Sequence, residues 1–406
     1  LACGTPVVGT IQDDIEIGGF VKCERDVNSI IGGIDSIIKN YKDFSLSARE
    51  FATTRNLNNI YNNLKKVYDM AVTNKKNFKN DFIDKARYAY ENVEKNNALN
   101  SFFVNYEPNP KITVLGPDRG IKYKISFTDK TNGISHYSHD ELAPGQWAAT
   151  SISHYIPWKL EATDNLTNEV VFSEELDLTG KKVHIIFDSK SLGDSIAWMA
   201  PVESFRLKHK CELSAATFQN ELFQKVYPNI KFVKPNTGYE KECFISYWLG
   251  YYNSGPRSPF DRKDVSLQQL GAGILGFNDY PETLTKIHVD DSYEIDIKKP
   301  YVTIAVQSTL QAKYWNADYG WDKVVLYLKE KGYEVVCVDK DQIFGRGNYM
   351  NRAPLGVIGK HNRPLAEIVN IINNSEFFIG LGSGLSWVSW ALKKPTILIS
   401  GFSNPK

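Results

Sequence analysis

The spacing of hydrophobic positions changes three times along this chain, and each change predicts a different kind of structure. Ala2-Cys3-Gly4-Thr5-Pro6-Val7-Val8 reads as a helix end, a glycine stop, a proline turn and a buried strand. From Asn28 to Asn40 the apolar residues Ile30, Ile31, Ile34, Ile37 and Ile38 fall at helical spacing, and Ser45 to Met70 continues as a polar amphipathic helix. Residues 73–100, rich in Asn and Lys, read as a linker, partly helical around Phe82 to Val93. Between 101 and 180 the period drops to two. Lys122-Tyr123-Lys124-Ile125-Ser126-Phe127 alternates polar and apolar positions and runs into Asn132-Gly133, a hairpin-turn dipeptide. With Trp158-Lys159-Leu160-Glu161-Ala162 and Val170-Val171-Phe172 it predicts a small β-sandwich or barrel.

From Lys181 onward, short apolar runs alternate with helical stretches. The predicted strands are Val183–Phe187, Tyr301–Val306, Tyr333–Val338, Phe377–Ile379 and Thr396–Ser400. Between them fall helices from about Asp194, over Trp321 to Lys331, Leu365 to Asn373 and Ser386 to Leu392. This is doubly wound α/β organisation, divided at about 181–295 and 296–406 into two halves facing a cleft. One internal echo stands out: Ala2 to Pro6 before a strand has the spacing of Ala391 to Pro395 before a strand.

Composition narrows the class. With 48 Lys and Arg against 47 Asp and Glu, the net charge of +1 gives no reason to expect a nucleic-acid or anionic-membrane partner. No apolar run approaches the roughly 18–20 residues of a membrane helix, so a cytoplasmic protein is expected. None of the five cysteines (Cys3, Cys23, Cys211, Cys243, Cys337) forms a CxxC pair, so they read as buried free thiols. His136, His139 and His154 lack ligand spacing, and no metal site is predicted. The start at Leu1 rather than Met, and the end at Lys406 just after a strand, suggest a window on a longer protein.

Three loops follow strands, where open α/β sheets bind ligands. In Ser191-Leu192-Gly193-Asp194-Ser195, Asp194 can be a base that accepts a hydroxyl proton or simply a helix cap. In Gln307-Ser308-Thr309, with Lys313 beyond, hydroxyls, backbone N–H groups and a cation suit phosphate oxygens, but an ordinary β–α loop looks the same. In Gly380-Leu381-Gly382-Ser383-Gly384, a glycine-rich loop opens a helix and permits close approach of an anion, or it is a turn requiring positive φ. Asp339 can hold a ribose hydroxyl or cap a turn. Arg257, Arg262 and Lys263 read as a solvated loop or an acceptor-side contact. Trp387 and Trp390, at i and i+3, read as core.

Sites at strand ends, split between two α/β halves, suit a two-Rossmann glycosyltransferase. Gln307-Ser308-Thr309-Leu310-Gln311-Ala312-Lys313-Tyr314-Trp315-Asn316 with Gly320-Trp321 resembles the autotransporter O-heptosyltransferases, related to glycosyltransferase family 9. So do Phe377 to Leu381, Ser383-Gly384-Leu385-Ser386-Trp387, Trp390-Ala391, Ile399-Ser400-Gly401-Phe402-Ser403 and Leu192-Gly193-Asp194 with Trp198. The resemblance covers about residues 101–406. It implies a GT-B type α/β fold of twin Rossmann-like domains, preceded by the small β-sandwich or barrel. It makes Asp194 the general base, with Gly193 and Arg262 on the acceptor side. The donor, a nucleotide sugar expected to be ADP-heptose, falls to Gln307, Ser308, Thr309, Lys313, Asp339 and the Gly382-Ser383-Gly384 loop. The reaction implied is inverting transfer of a heptose-like sugar to Ser or Thr hydroxyls of an autotransporter passenger, without a catalytic metal. The alternatives are another nucleotide sugar and a catalytically silent acceptor-binding scaffold. Family members form large rings, so a homo-oligomer is expected, and carry a cysteine-bound iron beyond the Gly-Phe-Ser segment, which this window does not reach. In the lipopolysaccharide branch of family 9 the second-half loop reads Asp-Ser-Gly followed by a His. Here Gly382 and Trp387 stand in those places, which argues for the autotransporter branch and removes that Asp and His as nucleotide contacts. Residues 1–72, through Leu1-Ala2-Cys3-Gly4-Thr5-Pro6-Val7-Val8-Gly9, resemble the C-terminal end of a family 4 glycosyltransferase, a truncated α/β remnant.

Overall fold

The computed structural model describes residues 7–9, 20–22, 100–116, 120–298, 300–315, 319–347 and 349–399. Residues 1–103 and 104–406 form two units. The first contains a parallel strand pair, β1 (Val7–Gly9) and β2 (Phe20–Lys22). The helices expected over 28–40 and 45–70 and the linker up to residue 99 lie outside the described residues.

The alternating segment forms strands β3 (Ser101–Asn105), β4 (Lys111–Leu115), β5 (Tyr123–Asp129), β6 (Ser135–Leu142), β7 (Trp147–Ala149), β8 (Trp158–Asp164) and β9 (Val170–Glu175). They make a three-stranded sheet, β3-β4-β7, and a four-stranded antiparallel sheet, β6-β5-β8-β9. Period two places Tyr123, Ile125 and Phe127 on one buried face, opposite Trp158, Leu160 and Ala162 of β8. The Asn132-Gly133 turn forms as expected. Gly133 takes φ +73°, and Asp129 accepts from the Thr131 N–H at 2.8 Å. Downstream, the Ser246 hydroxyl donates to Glu107 Oε2 at 2.6 Å and the Tyr106 ring packs on Phe244, tying these sheets to the α/β part.

The first α/β half contains β10 (Lys182–Phe187), α1 (Leu192–His209), β11 (Glu212–Ala216), β12 (Lys231–Phe232), β13 (Ile245–Leu249) and α2 (Leu267–Ile274). Its sheet is parallel, in the order β12-β11-β10-β13. β10 is buried from Val183 to Phe187 because both of its faces are covered, and this run is apolar except for His184, whose Nδ1 meets the Ser214 hydroxyl at 2.9 Å. Trp198 of α1 is fully buried and donates its indole N–H to the Leu267 carbonyl at 2.9 Å. Gly271 admits this ring, since a Cβ there would stand 2.3 Å from Trp198 Cδ1.

The second half contains β14 (Tyr301–Ala305), α3 (Gly320–Glu330), β15 (Glu334–Cys337), β16 (Ile343–Arg346), β17 (Tyr349–Arg352), β18 (Ile358–Gly359), α4 (Leu365–Asn373), β19 (Phe378–Leu381), α5 (Gly384–Ala391) and β20 (Thr396–Ile399). The parallel order is β18-β15-β14-β19-β20, and β16-β17 is a separate antiparallel hairpin. In each sheet the chain runs outward in both directions from a central strand, β10 or β14. The carboxyl ends of these two strands are therefore topological switch points, where a crevice opens.

Candidate functional site

Both switch points carry the residues singled out in the sequence. After β10 the chain runs through Asp188 and Ser189 into α1. Ser191 is the N-cap, so Asp194 lies in the first helical turn rather than capping it. The Ser189 hydroxyl donates to Asp194 Oδ2 at 2.6 Å and accepts from the Ser191 N–H at 3.1 Å. One carboxylate oxygen of the half-buried Asp194 is thus engaged. The loop is fixed from behind: the Ser195 hydroxyl donates to Gln219 Oε1, and Gln219 Nε2 donates to the Lys190 carbonyl.

After β14, Gln307 and Ser308 are buried and Thr309 is exposed. Gln307 faces inward, its side-chain amide donating to the Asp341 carbonyl at 2.8 Å. Asp339, 3% exposed, accepts from the backbone N–H of Val306 at 2.7 Å and of Gln307 at 3.2 Å. Its carboxylate therefore holds the turn after β14. Burial pushes its pKa up to about 6, with the two N–H groups opposing. Lys313, half-buried in a short 3₁₀ turn, reaches across and donates from Nζ to the Gly382 carbonyl at 2.8 Å. Lys313 and the glycine-rich loop are thereby in direct contact.

None of Gly380, Gly382 and Gly384 takes positive φ, so the turn explanation for that loop does not hold. A Cβ at Gly380 would press on the Phe378 ring at 2.7 Å, and one at Gly384 on Leu192 Cβ at 2.8 Å. Around Gly382 there is nothing within 4 Å, which is open space at the loop's crown. Ser383 is the N-cap of α5, and its N–H donates to the Ser386 hydroxyl.

The two halves meet through these glycines. A Cβ at Gly193 would stand 2.8 Å from Trp387 Cδ1, and Gly384 receives Leu192. The amino-terminal turns of α1 and α5 are therefore packed together, so that the turn carrying Asp194 adjoins the Gly382-Ser383-Gly384 loop to which Lys313 is bonded. Trp387 and Trp390, expected in the core, are only half-buried. Their rings pair edge-on at 5.4 Å, and Trp390 Nε1 donates to Glu282 Oε1 at 3.1 Å. Their apolar spacing reflects contact between halves.

Sequence reading missed the β16-β17 hairpin, which braces the β14 loop. Gln311 Nε2 donates to the Arg346 carbonyl, and Asn351 Nδ2 to the Val306 carbonyl at 2.8 Å. Its signal was Gly347-Asn348, a hairpin dipeptide between two four-residue strands. Arg262 lies in the loop after β13, its guanidinium 5.0 Å from the centre of the Tyr251 ring. The motif from Ser400 to Ser403 lies outside the described residues.

A profile of glycosyltransferase family 9 (heptosyltransferase) matches residues 277–406. The autotransporter heptosyltransferase Aah of Escherichia coli is 35% identical over 289 residues, covering 70% of this chain and 73% of its own length. The autotransporter heptosyltransferase TibC of Escherichia coli O78:H11 is 35% identical over 305 residues, 74% of this chain and 73% of its own. The inactive autotransporter heptosyltransferase BimC of Burkholderia thailandensis is 29% identical over 258 residues, 62% of this chain and 60% of its own. The crystal structure of dodecameric iron-containing TibC in complex with ADP-D-β-D-heptose matches with a TM-score of 0.67 at 32% identity, covering 75% of this chain and 78% of that one. Among the described residues no group of three or more His, Cys, Asp or Glu is placed to hold a metal ion. Among them, too, no helix is long and apolar enough to cross a membrane.

Proposed function

The chain belongs to the autotransporter heptosyltransferases of glycosyltransferase family 9, and from that premise we propose that it moves heptose from ADP-heptose onto Ser or Thr hydroxyls of an autotransporter passenger, with inversion at the sugar. The observation that carries the proposal is the contiguity of Asp194, the Gly382-Ser383-Gly384 loop and Lys313 where α1 and α5 meet. In this reading the two α/β halves are the twin Rossmann-like domains of a GT-B enzyme, 181–295 for the acceptor and 296–406 for the donor, behind the β module at 101–180.

An acceptor hydroxyl oxygen attacks the anomeric carbon as the bond from that carbon to the diphosphate breaks. Its proton passes to Asp194, whose second oxygen is left available by the Ser189 hydrogen bond on the first. The electron pair leaves with ADP. Lys313, Ser308 and Thr309 take the diphosphate oxygens, aided by the positive end of α5. Lys313 then exchanges its hold on the Gly382 carbonyl for phosphate oxygens. The open space at Gly382 admits phosphate or sugar against the backbone. Arg262 and Gly193 lie on the acceptor side.

The likeness to TibC, a dodecamer in its crystal structure, favours a homo-oligomer, and this reading sets its work on passengers in the cytoplasm. The likeness to BimC keeps one second reading in play, a silent scaffold that binds acceptor without turnover. Incubating the full-length protein with ADP-heptose and a Ser-rich passenger fragment separates these readings by the mass of the acceptor. A heptose increment is expected. A hexose increment from another nucleotide sugar, or binding with no increment, would displace the proposal.

A further inference from the structure

The loop after β13 borders an open cavity of about 460 Å³, lined by Tyr251, Tyr252, Asn253, Arg257 and Arg262 among others. It is a built feature. Gly250 exists to let the Tyr252 ring fold back, since a Cβ there would stand 2.3 Å from that ring. The Tyr252 hydroxyl donates to Asp188 Oδ2 at 3.0 Å. Pro256 is held by the Ser153 N–H at 2.8 Å and by His154 Nδ1 at 3.1 Å, and the fully buried Ser258 closes the turn onto Phe260.

Two guanidinium groups line the cavity. Arg257 lies over the Tyr252 ring at 5.2 Å and Arg262 over the Tyr251 ring at 5.0 Å. Among the described residues neither is paired with a carboxylate. A guanidinium beside an aromatic ring and unpaired with a carboxylate can offer N–H groups to oxygen acceptors, carboxylate best of all. The position is informative too. Tyr252 holds Asp188, which is joined directly to Ser189, the partner of Asp194. The cavity is therefore tied through Asp188 to the loop that leads to the proposed base on the first half, whereas Lys313 and the glycine-rich loop belong to the second.

We propose that this Tyr-Arg cavity is the acceptor subsite. It grips the polypeptide beside the target Ser or Thr by stacking on Tyr251 and by pairing carboxylate or carbonyl oxygens with Arg257 and Arg262. The proposal rests on the glycosyltransferase reading above. The other oxyanion source with the same chemistry is the donor's diphosphate, and the test separates the two.

The full-length protein, Arg257→Ala, Arg262→Ala and Arg257→Lys are compared with ADP-heptose and a passenger fragment. Each alanine variant is expected to raise the acceptor KM about 10- to 150-fold, the loss expected for a charged hydrogen bond. The Kd for ADP-heptose stays within about twofold, since no donor contact is removed. Arg257→Lys keeps the charge but not the fork and falls between. Raising the salt concentration weakens acceptor KM more in the wild type than in the alanine variants. An unchanged acceptor KM in correctly folded variants overturns the proposal, and a weakened donor Kd assigns the cavity to the diphosphate and overturns it equally. If the unaltered protein neither binds ADP-heptose nor modifies the passenger, the glycosyltransferase reading itself falls and this one with it.

Discussion

Asp194 shows what one neighbour contributes. Its carboxylate is half-buried, and the Ser189 hydroxyl fixes one oxygen at 2.6 Å. Removing that bond leaves the carboxylate free to rotate. Ser189→Ala should lower kcat about 10-fold, within the range for a hydrogen bond to a charged group, with donor KM unchanged and Ser189→Thr restoring the rate. Steady-state kinetics on both variants checks this. His209, at the far end of α1, makes a different prediction. It packs on Phe205 and Tyr155, and among the described residues its buried Nε2 has no hydrogen-bond partner. Burial pushes its pKa down to about 4, assisted by the neighbouring Lys208. Between that value and the ordinary 6.5, the unfolded chain binds a proton that the folded one does not. Stability is thus fully present above pH 6.5 and is lost as pH falls toward 4. The carboxyls of the buried Asp339 and the half-buried Glu107 and Glu174 are shifted upward by desolvation and act in the opposite sense. The contribution of His209 is therefore read as a difference: urea unfolding of His209→Phe should show a smaller loss from pH 7 to pH 4.5 than the wild type.

At the scale of elements, the glycines at the meeting of α1 and α5 separate packing from ligand approach. Gly384→Ala drives a Cβ into Leu192, and overpacking of this kind costs about 1–3 kcal/mol. Gly382→Ala meets nothing within 4 Å, so its stability should stay within about 0.5 kcal/mol of the wild type. ADP-heptose affinity should nonetheless fall in Gly382→Ala, because the methyl occupies the space assigned to the ligand. Denaturation and donor titration of the two variants check the contrast. Legibility in the sequence also divides by element. β5, β8, β10 and β14 were readable because burial of one face or both imposes a period of two or a continuous apolar run. α1 and α5 each begin two residues before their expected starts, since loop glycines count as helix once their backbone closes the first turn. The β16-β17 hairpin showed only its turn dipeptide in the sequence, because its apolar residues do not alternate with polar ones against a core. Ile343 and Phe344 are exposed side by side.

For the molecule as a whole, period and composition can indicate two α/β halves but not how they touch. Trp387 looks like core in the sequence because apolar residues that face another half are spaced like those that face a sheet. Only the Gly193–Trp387 and Gly384–Leu192 approaches reveal the seam. The same holds for Lys313, whose loop is 69 residues from Gly382 in sequence and 2.8 Å away in space. The central proposal is that groups from both sides of this seam carry out one sugar transfer. It is tested most directly by the rate of heptose transfer to a passenger fragment in Asp194→Asn, measured together with that variant's Kd for ADP-heptose. The expected result is a rate at least about 100-fold lower, the lower end of what a general base contributes, with donor affinity within about twofold of the wild type. Transfer at the wild-type rate by Asp194→Asn would contradict it.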